Sequence, residues 1–267
     1  IVMKLRIQHT TTYSYDMPVS YGLQQVRLTP VDSKHQTVHN WDIAVLGGQV
    51  ELAFDDQYQN RTLLVKADAG TTEVSVDVSG EVETLCSDGV FGKTYGTAPL
   101  WHFRQSTART QAGHGSKKLA KTVAKSSSTL DGLHALSSAI IDAVPYSTTG
   151  TEAGTTAEEA LSGGVGVCQD HAQIFVSAAR VAGIPARYVS GYLMMNDRVD
   201  QDASHAWAEA HIDGLGWVGF DVSNRICPDE RYVRIATGRD SRDASPISGV
   251  RLGSATEAMI VSLQVQQ

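Results

Sequence analysis

The central stretch of the chain, residues 162–187, reads SGGVGVCQDHAQIFVSAARVAGIPAR. The three glycines before Cys168, at 163, 164 and 166, predict a loop, because glycine in a helix interior is destabilising. From Cys168 onward, apolar residues recur at the spacing of one helix face, at Ala172, Phe175, Val176, Ala179 and Ala182. Gly183 and Pro185 predict the end of this helix. The pattern therefore places Cys168 in the first turn of a buried helix.

A cysteine at the start of a helix is a candidate nucleophile, because the N-terminal end of the helix dipole favours the thiolate. An unpaired cysteine is also among the most buried residue types and is often an inert part of the core. The glycine loop before Cys168 favours the first interpretation, since it lets a ligand approach the backbone closely. On this stretch alone both interpretations stay open.

The composition of the 267-residue chain is that of an ordinary globular protein, with 42% hydrophobic and 19% charged residues. The net charge of −7 and the lack of a basic patch argue against a nucleic-acid partner. No apolar run has the length of a spanning helix and the first residues lack a signal-peptide core, so we expect no membrane partner. Three widely spaced cysteines indicate a reducing compartment, which predicts a cytoplasmic location.

The first 98 residues predict a β-sandwich-like domain, because short alternating apolar runs are separated by turn signals about every 8–12 residues. Three histidines in this region, His9, His35 and His39, lie among threonines and turn residues and are interpreted as surface residues. Irregular residues rich in glycine follow. We therefore predict a β-rich domain at 1–98, a linker at 99–114 and a second domain at 115–267.

The second domain predicts a mixture of helices and strands. Helical spacing indicates helices at 116–124, 129–144 and 157–161 ahead of the Cys168 helix, the third of them with a capping box from Thr156 and Glu159. Strand-like runs follow at 187–194, 205–212 and 217–222, and residues 258–265 indicate a last strand that closes the sheet. The predicted fold class is α+β, with the cysteine helix packed on an antiparallel sheet.

The hairpin between the second and third of these runs decides whether His205 and Asp221 can meet. A three-residue loop would pair Ile212 with Gly216. Counting back along both strands, Trp207 then lies opposite Asp221, and His205 is a diagonal neighbour on the same face. A two-residue loop would place His205 and Asp221 on opposite faces of the sheet. A catalytic role for the pair therefore requires the three-residue register or another of the same parity.

With that register, Cys168, His205 and Asp221 form a candidate catalytic triad. A cysteine nucleophile needs a base, and the imidazole needs an acceptor on its other nitrogen to hold its tautomer and charge. The backbone N–H of Cys168 would face a tetrahedral oxyanion. Tyr146 and the backbone of Gln169 are candidates for the second donor.

Trp207 has two interpretations. It lies beside His205 on the same strand face and would shield the histidine–aspartate pair from water, or it is an ordinary core residue.

Three blocks of the second domain resemble the core of the transglutaminase-like superfamily. They are GVCQDHA with the following GIPARYVSGY, SHAWAE around His205, and GWVGFD ending at Asp221. The start IQHTTTYSY at 7–15 and the tail motif GRD at 238–240 are similar to bacterial transglutaminase-like cysteine proteases. The resemblance covers nearly the whole chain. It implies a papain-like α+β core with Cys168, His205 and Asp221 as the triad.

This chain departs from the family pattern near the site. The family often has DPTN after the tryptophan strand, where this chain has DVSN at 221–224, and Ser241 follows the GRD motif where the family often has tyrosine. The triad residues are unchanged. The departures affect loop geometry and substrate contacts.

Such a triad performs acyl transfer through a thioester that water or an amine resolves. We expect hydrolysis of a peptide, protein or other amide substrate, with protein-glutamine amine transfer by a transglutaminase as the alternative. The Gly-rich loop lacks a phosphate-binding signature, which makes an acyl-CoA donor a minor option.

Two hypotheses that do not involve acyl transfer also remain open. Cys168 and His171 have the C-x-x-H spacing of a zinc site, to which His205, His211 and Cys227 would add ligands, but a second closely spaced pair is missing. A binding module that keeps the fold without catalysis is the other reading. We expect no metal and no cofactor, and the sequence does not determine the oligomeric state.

Overall fold

The computed structural model describes residues 2–93 and 97–267. Within these residues, four α-helices and three antiparallel sheets form an α+β fold, as predicted. The sheets contain fourteen strands among the described residues. A short 3-10 helix, Leu100–Arg104, leads from the first group of strands to the helices. No helix in the described part of the chain combines the length and the apolar character needed to cross a membrane.

Two sheets are built mainly from the first part of the chain. The first has the order β3 (Gln36–Leu46), β6 (Glu73–Leu85), β1 (Val2–Tyr15), β14 (Glu257–Gln266) and β9 (Asp200–Gln201). The second has the order β13 (Ile247–Leu252), β2 (Tyr21–Thr29), β5 (Arg61–Ala67) and β4 (Gly48–Asp55). Because side chains alternate between the two faces of a strand, Leu5 and Ile7 of β1 and Val26 and Leu28 of β2 all point into one buried core.

The third sheet belongs to the second part of the chain. Its order is β12 (Tyr232–Gly238), β8 (Ala186–Leu193), β10 (His205–Ile212), β11 (Gly216–Phe220) and β7 (Val90–Gly92). Strands β8, β10 and β11 correspond to the three predicted runs. All strands of this sheet that pair with one another do so in the antiparallel sense.

The helices agree with the helical spacing in the sequence. They are α1 (His114–Ala124), α2 (Thr129–Ala143), α3 (Ala157–Gly163) and α4 (Cys168–Val181). The capping box of α3 is confirmed, because Thr156 accepts the backbone N–H of Glu159 while the Glu159 carboxylate accepts that of Thr156. Helix α4 begins at Cys168, and Gly183 follows its end with a φ of 82° that favours glycine. The position of Cys168 in the first turn is therefore confirmed.

Helix α4 packs on the small-residue face of β10. Phe175 and Ala179 of the helix share one buried core with Ala208 and Ala210 of the strand. Alanines at alternate positions let the helix approach the sheet closely, while Trp207 and Glu209, which have the opposite parity, project from the other face. The sheet and the helix together hold the start of α4 near the start of β10.

Each sheet contains strands from both the N-terminal and the C-terminal parts of the chain. Strand β7, which precedes residue 98, pairs with β11 of the third sheet, and β13 and β14 near the C-terminus pair with β2 and β1. The last predicted strand therefore exists, but its partner is β1 of the first sheet. The division at 1–98, 99–114 and 115–267 stays a prediction, and the paired strands cross it in both directions. Alternation identifies a strand without identifying its neighbour.

The surface interpretation of the histidines is wrong for His9. It shares the parity of Leu5 and Ile7 on β1 and is buried. Its Nδ1 lies 2.8 Å from the Tyr192 hydroxyl and its Nε2 lies 3.0 Å from Thr11 Oγ1. Burial lowers the pKa of His9 to about 4, so the ring is neutral at pH 7.

Candidate active site

The β10–β11 hairpin has the register that the site requires. Ile212 pairs with Gly216, as a three-residue loop demands, and pairing continues without a shift to Phe220 at the end of β11, opposite Ala208. Gly214 and Gly216 have φ values of 86° and 80°, which glycine adopts without strain. The predicted register is confirmed. It brings His205 and Asp221 to the same face of the sheet.

His205 and Asp221 form a short buried hydrogen bond. The Nε2 atom of His205 donates to Oδ2 of Asp221 over 2.7 Å. Both side chains are buried. A hydrogen bond between a ring nitrogen and a carboxylate holds the imidazole in one orientation and stabilises its charged form.

Three further donors surround the Asp221 carboxylate. Its Oδ2 accepts the Tyr232 hydroxyl over 2.6 Å and the Asn224 side-chain amide over 2.7 Å. Its Oδ1 accepts the backbone N–H of Asn224 over 3.3 Å. Burial alone would raise the pKa of Asp221, but the charge of His205 and these donors outweigh it and hold the pKa below its ordinary value. Asp221 therefore remains a carboxylate.

Cys168 is the third member of the site. It is the first residue of α4 and is partly exposed. Its thiol lies close enough to the His205 ring to help raise the pKa of that ring. Since Asp221 occupies Nε2 of His205, Nδ1 is the ring nitrogen left for the thiol. The three predicted catalytic residues are thus brought together in one chain of contacts.

The charge state of His205 depends on two neighbouring residues, Asp221 and Cys168. Burial lowers the pKa of this histidine, but the Asp221 carboxylate and the Cys168 thiolate oppose that effect and raise the pKa to about 10. The imidazole is therefore protonated at neutral pH when both neighbours are charged. A thiolate beside an imidazolium is the reactive state of a cysteine nucleophile.

The start of α4 is shaped by the glycine loop. Asp170 accepts the backbone N–H of Val167 through Oδ2 over 2.9 Å, which fixes the residue that precedes the helix. Gly166 forms a parallel bridge with Tyr146, and an added Cβ at Gly166 would lie 2.9 Å from the Asp170 side chain. A larger residue at this position would therefore displace the turn that presents Cys168.

The two candidate oxyanion donors occupy different surroundings. Tyr146 is 54% exposed, and burial together with the charge of Cys168 raises its pKa, so its hydroxyl lies in the field of the thiol. The side-chain amide of Gln169 donates to the Ala153 carbonyl over 3.2 Å, which leaves its backbone N–H as the relevant donor. The oxyanion roles of Tyr146 and Gln169 stay predictions.

Trp207 forms the wall behind the histidine. It is 1% exposed, stacks against His205 with 6.4 Å between ring centroids, and meets Tyr232 edge-on at 5.4 Å. These contacts exclude water from one side of the histidine–aspartate pair, which agrees with the shielding interpretation. The indole N–H is buried and has no hydrogen-bond acceptor among the described residues.

Two contacts of the site were missed in the sequence. Tyr232 comes from β12, and nothing in its sequence neighbourhood indicates that its hydroxyl reaches Asp221. Asn224 lies three residues after Asp221 in the DVSN segment, and that short spacing was the available signal, since asparagine commonly closes turns of this length.

The hypothesis of a zinc site is not supported at His171, its proposed second ligand. His171 has both ring nitrogens within 2.8 Å of other groups, Nδ1 at the Ser223 hydroxyl and Nε2 at the Val144 carbonyl. Across residues 2–93 and 97–267, no group of three or more histidine, cysteine, aspartate or glutamate side chains is arranged to hold a metal ion.

Comparison with known families agrees with this fold. Residues 117–222 match the family model of the transglutaminase-like superfamily. Residues 5–83 match the model of the bacterial transglutaminase-like N-terminal region. The chain therefore has a transglutaminase-like core at 117–222, preceded by a bacterial transglutaminase-like N-terminal region at 5–83.

Individual relatives cover the chain to different extents. An uncharacterized protein of Mycobacterium leprae is 26% identical over an aligned length of 275 positions, which covers 98% of this chain and 98% of that protein. An uncharacterized protein of Mycobacterium tuberculosis is 34% identical over an aligned length of 144 positions, which covers 50% of this chain and 46% of the relative. The crystal structure of a putative cysteine protease from Cytophaga hutchinsonii has a TM-score of 0.79 at 24% identity, over 100% of this chain and 92% of that one. This last likeness shows a shared fold.

Proposed function

We propose that the protein is a thiol acyl-transfer enzyme that hydrolyses a peptide or other amide bond, with Cys168, His205 and Asp221 as its catalytic triad. The observation that carries the proposal is the buried 2.7 Å bond from His205 Nε2 to Asp221, which leaves the other ring nitrogen to the helix-terminal thiol. A nucleophile, its base and the group that orients the base are the three parts such chemistry requires.

The first half of the reaction forms a thioester. The Cys168 sulfur attacks the amide carbonyl carbon, a C–S bond forms, and the carbonyl electrons move onto oxygen. The oxyanion then re-forms the carbonyl, the C–N bond breaks, and the protonated His205 delivers its proton to the leaving amine. Because the pKa of His205 is raised to about 10, this proton is present at neutral pH.

The second half releases the acid. His205, now neutral, accepts a proton from a water molecule as the water oxygen attacks the thioester carbonyl. The C–S bond breaks, the carboxylic acid leaves, and the thiolate–imidazolium pair is restored. Asp221 stays charged throughout and stabilises the imidazolium at both stages.

The start of α4 supplies the stabilising donors. The first N–H groups of a helix have no partner within the helix and carry its positive end. The backbone N–H of Cys168 belongs to this set, and the N–H of Gln169 is the next one along. Donors of this kind stabilise the oxyanion without moving during the reaction.

Water is our preferred acceptor. Cys168 is partly exposed and Tyr146 beside it is half exposed, so a thioester at this position would be reachable from solvent. An amine acceptor would use the same thioester and remains the alternative. A cytoplasmic location and a lack of nucleic-acid and membrane partners belong to the same proposal, supported by the charge of −7 and three free cysteines.

The thiolate–imidazolium pair is tested by the pH dependence of iodoacetamide alkylation at Cys168, followed by mass spectrometry of the labelled peptide. In the parent, alkylation should remain fast well below about pH 8.5, where a free thiol becomes unreactive. In His205→Ala this reactivity at low pH should disappear, whereas the exposed-histidine control His39→Ala should match the parent. Equal profiles in all three proteins would remove the physical basis of the proposal.

The acceptor is tested with peptide substrates in water labelled with heavy oxygen, with and without an added primary amine. Hydrolysis incorporates the label into a new carboxyl group, and amine transfer attaches the amine to a glutamine side chain. Cys168→Ala should abolish either product. Amine attachment would replace hydrolysis by the transglutaminase alternative, and failure to form any Cys168-dependent acyl-enzyme or product would favour the non-catalytic module.

A further inference from the structure

A second concave site lies where the N-terminal sheets meet the core sheet. It is a cavity of about 310 Å³, within the range of roughly 300–1,000 Å³ typical of small-molecule sites. Its lining comes from four places, namely residues 31–36, the 58–60 turn, the β7 region at Phe91 and Lys93, and β12 at Arg234 and Ile235. The cavity is therefore built by both parts of the chain.

This cavity lies on the face of the core sheet opposite α4. Arg234, which lines it, donates to Glu209, and Glu209 has the parity of Trp207 on β10. The alanines of β10 that contact α4 have the opposite parity. Cys168, His205 and Asp221 are not among the residues that line the cavity, so a ligand there would not lie against the thiol.

A smaller chamber continues from the cavity toward the site. It measures about 30 Å³, shares His35, Phe91 and Arg234 with the larger cavity, and is also lined by Trp207 and Tyr232. Trp207 stacks on His205 and the Tyr232 hydroxyl donates to Asp221. The cavity thus adjoins the residues that support the triad from behind.

Much of the polar lining is already committed to the protein. The Gln36 amide donates to the Arg234 carbonyl over 2.9 Å and accepts the Arg234 N–H over 2.8 Å. Asn60 makes the same pair of bonds with Thr237, both over 2.8 Å. Asp32 accepts the N–H of Val38 over 2.7 Å. These bonds make a fixed wall and leave little capacity for a ligand on that side.

The uncommitted groups of the lining are cationic or can donate. Lys34 and Lys93 are exposed, and neither has an ion pair or a hydrogen bond with any residue of the described ranges. His35 Nδ1 is buried and has no hydrogen-bond partner there. The one carboxylate of the lining, Asp32, accepts a backbone N–H, and Arg234 pairs with Glu209, which also pairs with Arg187. The lining groups that have no partner in the protein therefore favour a ligand with a negative charge.

The remaining lining is apolar and partly aromatic. Phe91 meets the His35 ring edge-on with 6.0 Å between centroids, and Tyr58, Val31 and Ile235 complete this part of the cavity. The Tyr58 hydroxyl is used by Asp243 at 2.7 Å, so Tyr58 presents its ring rather than a free hydroxyl. Aromatic walls favour a flat apolar body.

We propose that this cavity is a binding site for a small organic carboxylate with an aromatic body, held at its charged end by Lys34 and Lys93 and along its body by Phe91 and Tyr58. The two lysines supply attraction and the aromatic rings supply buried apolar contact. The site does not rely on the thiol chemistry proposed above, because none of the three proposed catalytic residues lines it.

Calorimetric titration with benzoate, phenylacetate and indole-3-acetate tests the proposal, each acid being compared with its neutral amide. At least one acid should bind saturably, and its amide should bind about tenfold more weakly or worse. The double variant Lys34→Gln/Lys93→Gln should weaken binding of the acid about tenfold or more, whereas Lys118→Gln/Lys121→Gln on the exposed face of α1 should bind like the parent.

Alkylation of Cys168 separates this site from the proposed active site. Binding that persists after alkylation supports a separate cavity, and binding that disappears would place the acid in the thiol cleft and overturn the proposal. Saturable binding by none of the three acids, equal affinity for acid and amide, or full binding in the double lysine variant would each overturn it as well. None of these outcomes depends on whether the protein hydrolyses amides.

Discussion

Two charged clusters share one face of β10, four residues apart, and their charges have different freedom to change. In the first, His205 donates to Asp221 over 2.7 Å. In the second, Glu209 accepts Arg187 Nε over 2.6 Å at one oxygen and Arg234 Nε over 3.0 Å at the other. Both clusters are buried, and Glu209 is 0% exposed. Burial and short distances are therefore common to both.

The difference lies in what each cluster faces. The imidazole of His205 has a second nitrogen and lies near the partly exposed Cys168 thiol, so in the proposed reaction it can pass a proton to a bound substrate. The carboxylate of Glu209 is saturated by two guanidinium groups, and Arg187 also lies over the Trp217 ring at 3.9 Å. A buried charge pair thus becomes a candidate for catalysis through a titratable member with an accessible neighbour, not through burial itself.

The strongest way to test the comparison is to neutralise Asp221. Asp221→Asn should lower the rate of amide hydrolysis by about 10²–10⁴-fold, because His205 loses the charge that orients and stabilises its imidazolium. Steady-state kinetics with the substrate found by the labelling experiment measures the effect. Asp142→Asn, which neutralises an exposed carboxylate paired with Arg225, should leave the rate unchanged. An Asp221→Asn enzyme with the parent's rate would place Asp221 outside the mechanism.

A substitution in the second cluster should lower the stability of the protein. Glu209→Ala leaves two arginines without their buried counter-charge and should reduce the free energy of unfolding by about 3–5 kcal/mol. Urea denaturation measures it. The exposed pair of Glu81 with Lys4 and Arg6 provides the contrast, and Glu81→Ala should give no resolvable change in the urea midpoint. If Glu209→Ala were equally harmless, the second cluster would not hold the sheet together.

Tyr232 sharpens the distinction within the first cluster. Its hydroxyl donates to Asp221 over 2.6 Å and helps to keep the pKa of Asp221 low. Tyr232→Phe removes this donor, raises the pKa of Asp221, and should shift the acid limb of the pH–rate profile upward by about one to two pH units. Tyr21→Phe, at an exposed position of β2, is the matched control. An unmoved acid limb would show that Tyr232 only fills space.

The parts of the site that were predictable from sequence are those governed by local rules. Helical spacing and a glycine loop placed Cys168 at the start of α4, and the parity of a three-residue hairpin placed His205 and Asp221 on one face. Each inference needs only neighbouring residues. The α+β class followed in the same way, because strand and helix periods can be read within short windows.

The unpredicted parts depend on contacts between distant segments. Tyr232 reaches Asp221 from β12, and β14 crosses to pair with β1, which no local periodicity specifies. Glu209 shares the parity of His205 in the sequence, yet its two arginine partners come from β8 and β12. His9 is the exception, since its parity with Leu5 and Ile7 did indicate burial.

The smallest expected effect is on the pH dependence of stability. As the pH rises, the free energy of unfolding should change in opposite directions through the two clusters. The pKa of His205 is raised to about 10 from an ordinary value near 6.5, so its contribution to stability is complete below about pH 6.5 and is lost as the pH rises toward 10. Burial lowers the pKa of Arg187 despite Glu209, so any effect of that cluster appears at more alkaline pH and favours the folded state as the pH rises.

The interval from about pH 7 to pH 9 therefore isolates the first cluster. Over it, the free energy of unfolding of the parent, measured by urea denaturation, should fall with pH more steeply than that of His205→Gln. His39→Gln should follow the parent, because that ring is exposed. Parallel curves for the parent and His205→Gln would mean that His205 is not held protonated by its neighbours, and the distinction between a poised and a saturated charge pair on β10 would fail.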